Sequence, residues 1–236
     1  AYSQEQMNII GISTSGRLNG NTSRLLKVML DKLSSLGATT EFIWTGNKKI
    51  EFCRACEHCM REDTCVINDD YEEIRQKMLK ADGVILGTPN YAFQMSAQLK
   101  AIYDRSHSLL YYTRRLVGKY ALGVCVGGHS YMTGKIAKTV AQGIWLCGGY
   151  YAGYLGAASV NRDELALQNE EQMIKKAGHL AEKLYSSIRD KKKFYWQHFI
   201  RKQFLYPQVA KMMESNKSKY PFLYEYYKSK GYLPRA

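Results

Sequence analysis

Four of the six cysteines in the chain fall within thirteen residues, Cys53-Arg-Ala-Cys56-Glu-His-Cys59-Met-Arg-Glu-Asp-Thr-Cys65, at the spacing C-x2-C-x2-C-x5-C. A packing residue has no reason to recur every third position through Arg, Glu and His. Ligands do, because a tight loop with that spacing can turn three sulfurs toward one centre while the fourth closes the cage. Four-cysteine runs hold iron-sulfur clusters. Structural zinc also takes four thiolates, usually as two C-x2-4-C pairs on a longer arm, so the successive x2 spacings favour iron and sulfide over zinc. His58, inside the run, reads as a solvated spacer or a donor to the ligands. Cys125 and Cys147 lie on apolar segments and read as core thiols.

A second stretch suits an anion. The apolar run at 7–12 is rich in β-branched residues and stops at Ser13-Thr-Ser15-Gly-Arg17-Leu-Asn-Gly-Asn21-Thr22, after which Leu25, Leu26, Met29, Leu30 and Leu33 recur at helical spacing. A strand that feeds a hydroxyl- and glycine-rich loop at a helix N-terminus offers free backbone N–H groups and a favourable dipole to phosphate. A plain turn capped by Asn21 or Thr22 is the simpler alternative, but it leaves Ser13, Ser15 and Arg17 together unexplained.

The elements that must position these stretches alternate. Strand patterns at 7–12, 39–45, 84–87, 120–126 and 150–158 are separated by helical patterns after residue 22 and at 69–80, 96–112, 135–146 and 162–190, the last opened by Asn161 as a cap. Such βαβ units imply right-handed crossovers and a parallel sheet. The expected fold is α/β: a flavodoxin-like three-layer sandwich with a five-stranded parallel sheet in the order 2-1-3-4-5 and a C-terminal helical aromatic extension. Ligands of such sheets bind outside the carboxyl ends of strands 1 and 3, which gathers the loops 13–22, 88–96 and 127–134. The loop after strand 2 would leave the same edge, displaced from strand 1 by about 5 Å.

The residues carry a family resemblance. Gly11 to Thr22, Gly87-Thr-Pro-Asn-Tyr91 with Ser96, Leu99, Lys100, Asp104 and Arg105 behind it, and the compact cysteine run resemble the iron-sulfur flavoproteins of the NADPH-dependent FMN reductase branch of flavodoxin-like proteins, over about residues 7 to 185. That resemblance implies that Ser13, Ser15, Arg17, Asn21 and Thr22 surround the phosphate of FMN. It implies also that Thr88, Pro89, Asn90 and Tyr91 run along the isoalloxazine, with Gly127, Gly128 and His129 on its other edge. Cys53, Cys56, Cys59 and Cys65 would ligate a [4Fe-4S] cluster. The family commonly reads Gly and Pro where this chain has Thr14 and Gly16, which predicts a looser or reshaped phosphate loop.

Composition bounds the rest. The chain has 236 residues, 45% of them hydrophobic, with a formal charge of +13. Domains are expected at 1–189, the FMN-binding unit carrying the cysteine loop 53–65, and at 190–236, a basic, aromatic-rich extension. The extension holds eleven Lys or Arg against three acids, so +8 of the charge belongs to it. Nothing matches a nucleic-acid fold signature, which excludes that partner. No apolar run approaches the roughly 18 to 20 residues of a membrane span. The first residues lack the charged and apolar regions of an export signal, so a cytoplasmic location is expected. The aromatics of the extension suit a helical arm packed on the domain or a neighbouring subunit, ahead of a lid over the flavin pocket or a basic amphipathic helix on a membrane.

The expected function is an oxidoreductase passing electrons between a ferredoxin-like donor, a [4Fe-4S] cluster, FMN and an unidentified acceptor, in a homo-oligomer (dimer or tetramer). A basic surface suits an acidic ferredoxin. FMN-dependent NAD(P)H reduction of quinone or nitro-type acceptors, with the cysteines holding a structural metal, is the second reading. A non-catalytic redox sensor is the third. No acid/base dyad or nucleophilic triad is expected.

Overall fold

Two strands are buried along their whole length, β3 (Gly83–Pro89) and β4 (Tyr120–Gly127). Near-continuous apolar runs of this kind belong in the middle of a parallel sheet covered on both faces. The computed structural model, which describes residues 6–160 and 166–233, places them there: the five strands pair in the order β2-β1-β3-β4-β5, all parallel. The partners are β1 (Asn8–Ser13), β2 (Thr39–Trp44) and β5 (Tyr150–Ala158). This is the flavodoxin-like order expected from the alternation of strands and helices.

Side-chain alternation splits the core in two. Ile10, Ile12, Val84, Leu86 and Ala121 face α3 (Tyr71–Lys80), α4 (Ala97–Ser106) and α5 (Thr133–Leu146). Ile9, Ile85, Leu122 and Val124 face α1 (Asn21–Ser35) and α6 (Glu170–Arg189). The close approach of α5 to the sheet depends on Gly123, where an added Cβ would lie 2.0 Å from the Ala137 carbonyl oxygen. A short helix, α2 (His58–Arg61), lies inside the cysteine loop.

Three element expectations shift. The helix expected over 96–112 ends at Ser106 and continues as a wider π-helical turn over His107–Tyr112. The helix expected from 162 begins at Glu170, and its expected cap, Asn161, lies outside the described residues. The start of α1 is taken by Gly20 in an extended conformation, so neither Asn21 nor Thr22 caps it.

The extension folds as α7 (Tyr195–Ile200), a π-helical turn, α8 (Tyr206–Ser215) and α9 (Pro221–Ser229). Val209, Met213, Tyr220, Leu223 and Tyr227 form its core, closed against Met60 of the cysteine loop and Tyr111 and Tyr112 of the π turn. Among the described residues, no helix is long and apolar enough to cross a membrane.

Candidate functional site

Strand register brings the ends of β1, β3, β4 and β5 to one edge, with Ser13 opposite Gly87, Pro89 opposite Val126 and Gly127 opposite Ala158. A cleft of about 550 Å3 opens there, lined by Ser15, Gly16, Arg17, Asn21 and Thr22 from the first loop. Pro89, Asn90 and Tyr91 supply its second wall, and Val126, Gly127, Gly128 and Ser159 its third. The chain bends there without bulk: nothing lies within 4 Å of a Cβ placed on Gly16 or Gly128.

The first loop is held by bonds to the sheet. Thr14 is fully buried; its backbone N–H and its hydroxyl both donate to the Gly87 carbonyl at 2.9 Å. Ser96 donates to the Thr14 hydroxyl at 2.8 Å, and Thr88 accepts the Ser96 N–H at 2.8 Å. From the other side, the Trp44 indole donates to the Ser15 carbonyl at 2.7 Å. The loop is therefore reshaped but not loose, because Thr14 fastens it to β3.

The cleft suits a phosphorylated ligand on three grounds. No side chain caps α1 and no acid lies in its first turn, so the dipole and the first N–H groups remain for an anion. The buried Oδ1 atoms of Asn21 and Asn90 have no partner among the described residues; each can accept from a ligand hydroxyl or N–H. Asn21 is oriented by its own amide, which donates to Ser159 Oγ at 2.9 Å and to the Ala166 carbonyl at 3.1 Å.

Of the flavin residues expected from sequence, Ser15, Arg17, Asn21, Thr22, Pro89, Asn90, Tyr91, Gly127 and Gly128 line the cleft. Ser13, Thr88 and His129 do not. Ser13 is buried beneath it, hydrogen-bonded to Ser23 at 2.8 Å, and Thr88 serves the Ser96 bond. His129 is exposed and stands 6.1 Å, ring to ring, from Phe93, which meets Tyr131 edge-on at 5.7 Å. The aromatics form a rim. Ser159 was missed by sequence reasoning, although its place just past the end of the fifth strand was a usable signal.

The cysteine loop is built differently. Cys53, Cys56, Cys59 and Cys65 all line one hollow of about 40 Å3, and none is disulfide-bonded. Ala55 and Glu57 hold left-handed φ values of 50° and 56°, a strained backbone for residues with a Cβ. Among the described residues, no three His, Cys, Asp or Glu side chains converge as a metal-holding group. The donor set, four thiols around one void, still matches the chemistry of a thiolate-ligated cluster. His58 lines the same hollow and bonds Thr64 across the loop at 3.3 Å.

Arg105 clamps the loop. Its guanidinium pairs with Asp69, both side chains being almost fully buried, and donates to the carbonyls of Glu51 and Ile67 at 3.4 and 3.2 Å. It also donates to Cys65 Sγ at 3.5 Å and lies over the Tyr71 ring at 4.3 Å. Burial pushes the Asp69 carboxyl up, but Arg105 and the N–H groups of Glu51 and Tyr71 outweigh it and hold its pKa below the ordinary carboxylate range. For Cys59, burial raises the pKa; Ser108 opposes this, while the neighbouring sulfurs of Cys65 and Cys53 add to it. Burial alone pushes Cys125 and Cys147 to about 12, as core thiols.

Cleft and hollow share no lining residue. Ser96, the N-cap of α4, touches the flavin-side loops, whereas Arg105 lines the hollow. Nine residues at 1.5 Å each put the two about 14 Å apart along the helix. The loop leaves β2 at the same carboxyl edge, where Trp44 lies opposite Ser13, as expected, and its thiols then meet Arg105 near the far end of α4. The extension braces its outer side, where Tyr220 donates to Glu57 at 3.1 Å and Lys219 pairs with it at 3.1 Å. Among the described residues, none of the extension lines the cleft.

Topology and cleft together define a flavodoxin-type protein with a phosphate-ready cradle at the carboxyl edge of its sheet. The chain belongs to the NADPH-dependent FMN reductase family, whose model matches residues 7–172; it is on that ground a flavin-dependent oxidoreductase. It is similar to an iron-sulfur flavoprotein of Methanocaldococcus jannaschii, 46% identical over 103 residues, which cover 44% of this chain and 53% of that one, so the match spans about half of that relative's length. A second iron-sulfur flavoprotein of the same organism is 28% identical across 79% of this chain and 99% of its own. Among solved structures, a flavone reductase superimposes with a TM-score of 0.60 at 21% identity, covering 78% of this chain and 64% of the other, a likeness of fold.

Proposed function

We propose that the protein binds FMN in the cleft and a [4Fe-4S] cluster on Cys53, Cys56, Cys59 and Cys65, and that it passes electrons from a ferredoxin-like donor through these groups to a small acceptor. The supporting observation is the pairing, in one chain, of a phosphate-ready cleft with four unpaired thiols around a single hollow. An FMN and a cluster together interconvert two-electron and one-electron chemistry. The protein's own part is positional. Ser15, Thr22 and the first turn of α1 would hold the phosphate, with Arg17 adding charge. Asn21 and Asn90 would orient the ligand through their free carbonyl oxygens, and Pro89, Tyr91, Gly127 and Gly128 would flank the ring system. Arg105 would stabilise negative charge on the Cys65 sulfur.

Protein prepared and kept without oxygen should contain about four irons and four sulfides per chain, and one FMN. Zinc in place of iron would remove the cluster. The family description supports a second reading, direct reduction by NADPH with the cysteines holding a structural metal. Stopped-flow mixing separates the two, since rapid flavin bleaching by NADPH favours the second and inertness the first. The proposed homo-oligomer is checked by light scattering on the same sample.

A further inference from the structure

A second space opens at the opposite edge of the sheet. It is a cavity of about 590 Å3 between the amino ends of β3, β4 and β5 and the C-terminal extension. Asp82, Gly118 and Gly148, each just ahead of one of these strands, form its floor, and Arg201, Tyr206 and Tyr232 of the extension belong to its roof. The eight residues of β4 separate the two edges by on the order of 25 Å. The space therefore lies apart from the flavin-side chemistry.

Its charges are unbalanced. Arg114 and Arg201 line it from positions that leave them 7% and 2% exposed. Neither has a carboxylate partner among the described residues. Arg201 donates to the carbonyls of Trp145 and Gly149 at the end of α5, and its buried Nε has no hydrogen-bond partner among the described residues. Arg114 lies 3.7 Å from the centre of the Tyr206 ring and 4.3 Å from that of Tyr232. Lys191, Lys193 and His198 stand exposed at the mouth. Asp82, the one acid among its described lining residues, already accepts the Asn8 N–H at 2.8 Å. Two buried guanidinium groups without a counter-ion are costly, and carbonyls and rings offset only part of that cost. The walls between them are aromatic, from Tyr120, Tyr150, Tyr206 and Tyr232.

We infer that this cavity is a second ligand site, built by the extension, for an amphipathic anion: a carboxylate, sulfonate or phosphate group on an aromatic or aliphatic body. Its volume lies within the range of small-molecule sites. The anion meets Arg201 Nε and Arg114, and the apolar body lies among the tyrosines. The lysines at the mouth draw it in.

The test titrates the FMN-loaded full chain with the fluorescent probe 1-anilinonaphthalene-8-sulfonate. The expected result is one saturable site per chain, filled without release of flavin. Arg201→Met should weaken binding on the order of tenfold or more, the worth of a charge-assisted bond. The exposed double variant Lys191→Glu with Lys193→Glu, which threatens no packing, should weaken it on the order of fivefold, and added salt should shrink that difference. The uncharged analogue N-phenyl-1-naphthylamine should bind far more weakly than the sulfonate. Equal binding of the neutral analogue, unchanged affinity in the double variant, or displacement of FMN by the probe would each overturn the inference.

Discussion

The cleft and the cysteine hollow serve one chain but are held in opposite ways. The cleft is fixed from within the sheet, by backbone register and by the buried hydroxyls of Thr14, Ser96 and Thr88. The hollow is fixed from outside, by Arg105 on a helix and by Glu57 contacts to the extension, over a backbone with two left-handed residues. A cradle built on strands can stand ready before its ligand arrives. A loop whose thiols are partly exposed and whose backbone is strained would take its final shape only from the proposed cluster. The two sites should therefore respond differently to loss of their cofactors and of their supports.

The largest separation should come from the ligands themselves. Cys56→Ser should abolish stable cluster binding, read as loss of iron, sulfide and the reduced-state EPR signal, while FMN content stays near one per chain. Concurrent loss of FMN would mean that cleft and hollow are one unit. Next is Arg105→Leu, which strands Asp69 as a buried, unpaired carboxylate and should cost about 3 kcal/mol by urea denaturation. The same pair gives the hollow a pH signature. Because the folded pKa of Asp69 is lowered, its contribution is full above the ordinary value of 3.8 and is lost as the pH falls through the folded one. The stability gap between the parent and Asp69→Asn should thus narrow below about pH 4. A gap that stays constant there would show that the pair does not anchor the loop.

A smaller effect is expected on the other side. Thr14→Val removes the hydroxyl shared by Gly87 and Ser96 and should cost about 1 to 2 kcal/mol, with weaker FMN binding and unchanged iron. The smallest is Tyr220→Phe, which deletes one partly exposed bond to Glu57 and should change stability by about 0.5 kcal/mol. Faster iron loss on exposure to air, with no change in flavin, is its sharper readout.

Much of the cleft was legible because its parts are local. A hydroxyl-rich loop between a β-branched run and a helical pattern announces itself within a few residues, and so does Thr88-Pro-Asn-Tyr91 after a fully apolar strand. The expected members that do not line the cleft, Ser13, Thr88 and His129, have the right residue types near the right place. Which way they face depends on partners such as Ser23 and Ser96 that no local pattern identifies. Ser159 was passed over because it follows a glycine-rich strand with no motif of its own.

Spacing along the chain determined the strand and helix order, the parallel sheet and the grouping of four thiols, because periodicity and loop length are short-range properties. The tertiary structure alone decided that the cysteine loop descends along α4, that the extension braces it, and that a basic cavity closes at the far edge. The physical reason lies in contacts that span the chain. Arg105 reaches Cys65 from 40 residues away, Tyr220 reaches Glu57 across 163, and Arg201 meets the end of α5 across more than 50.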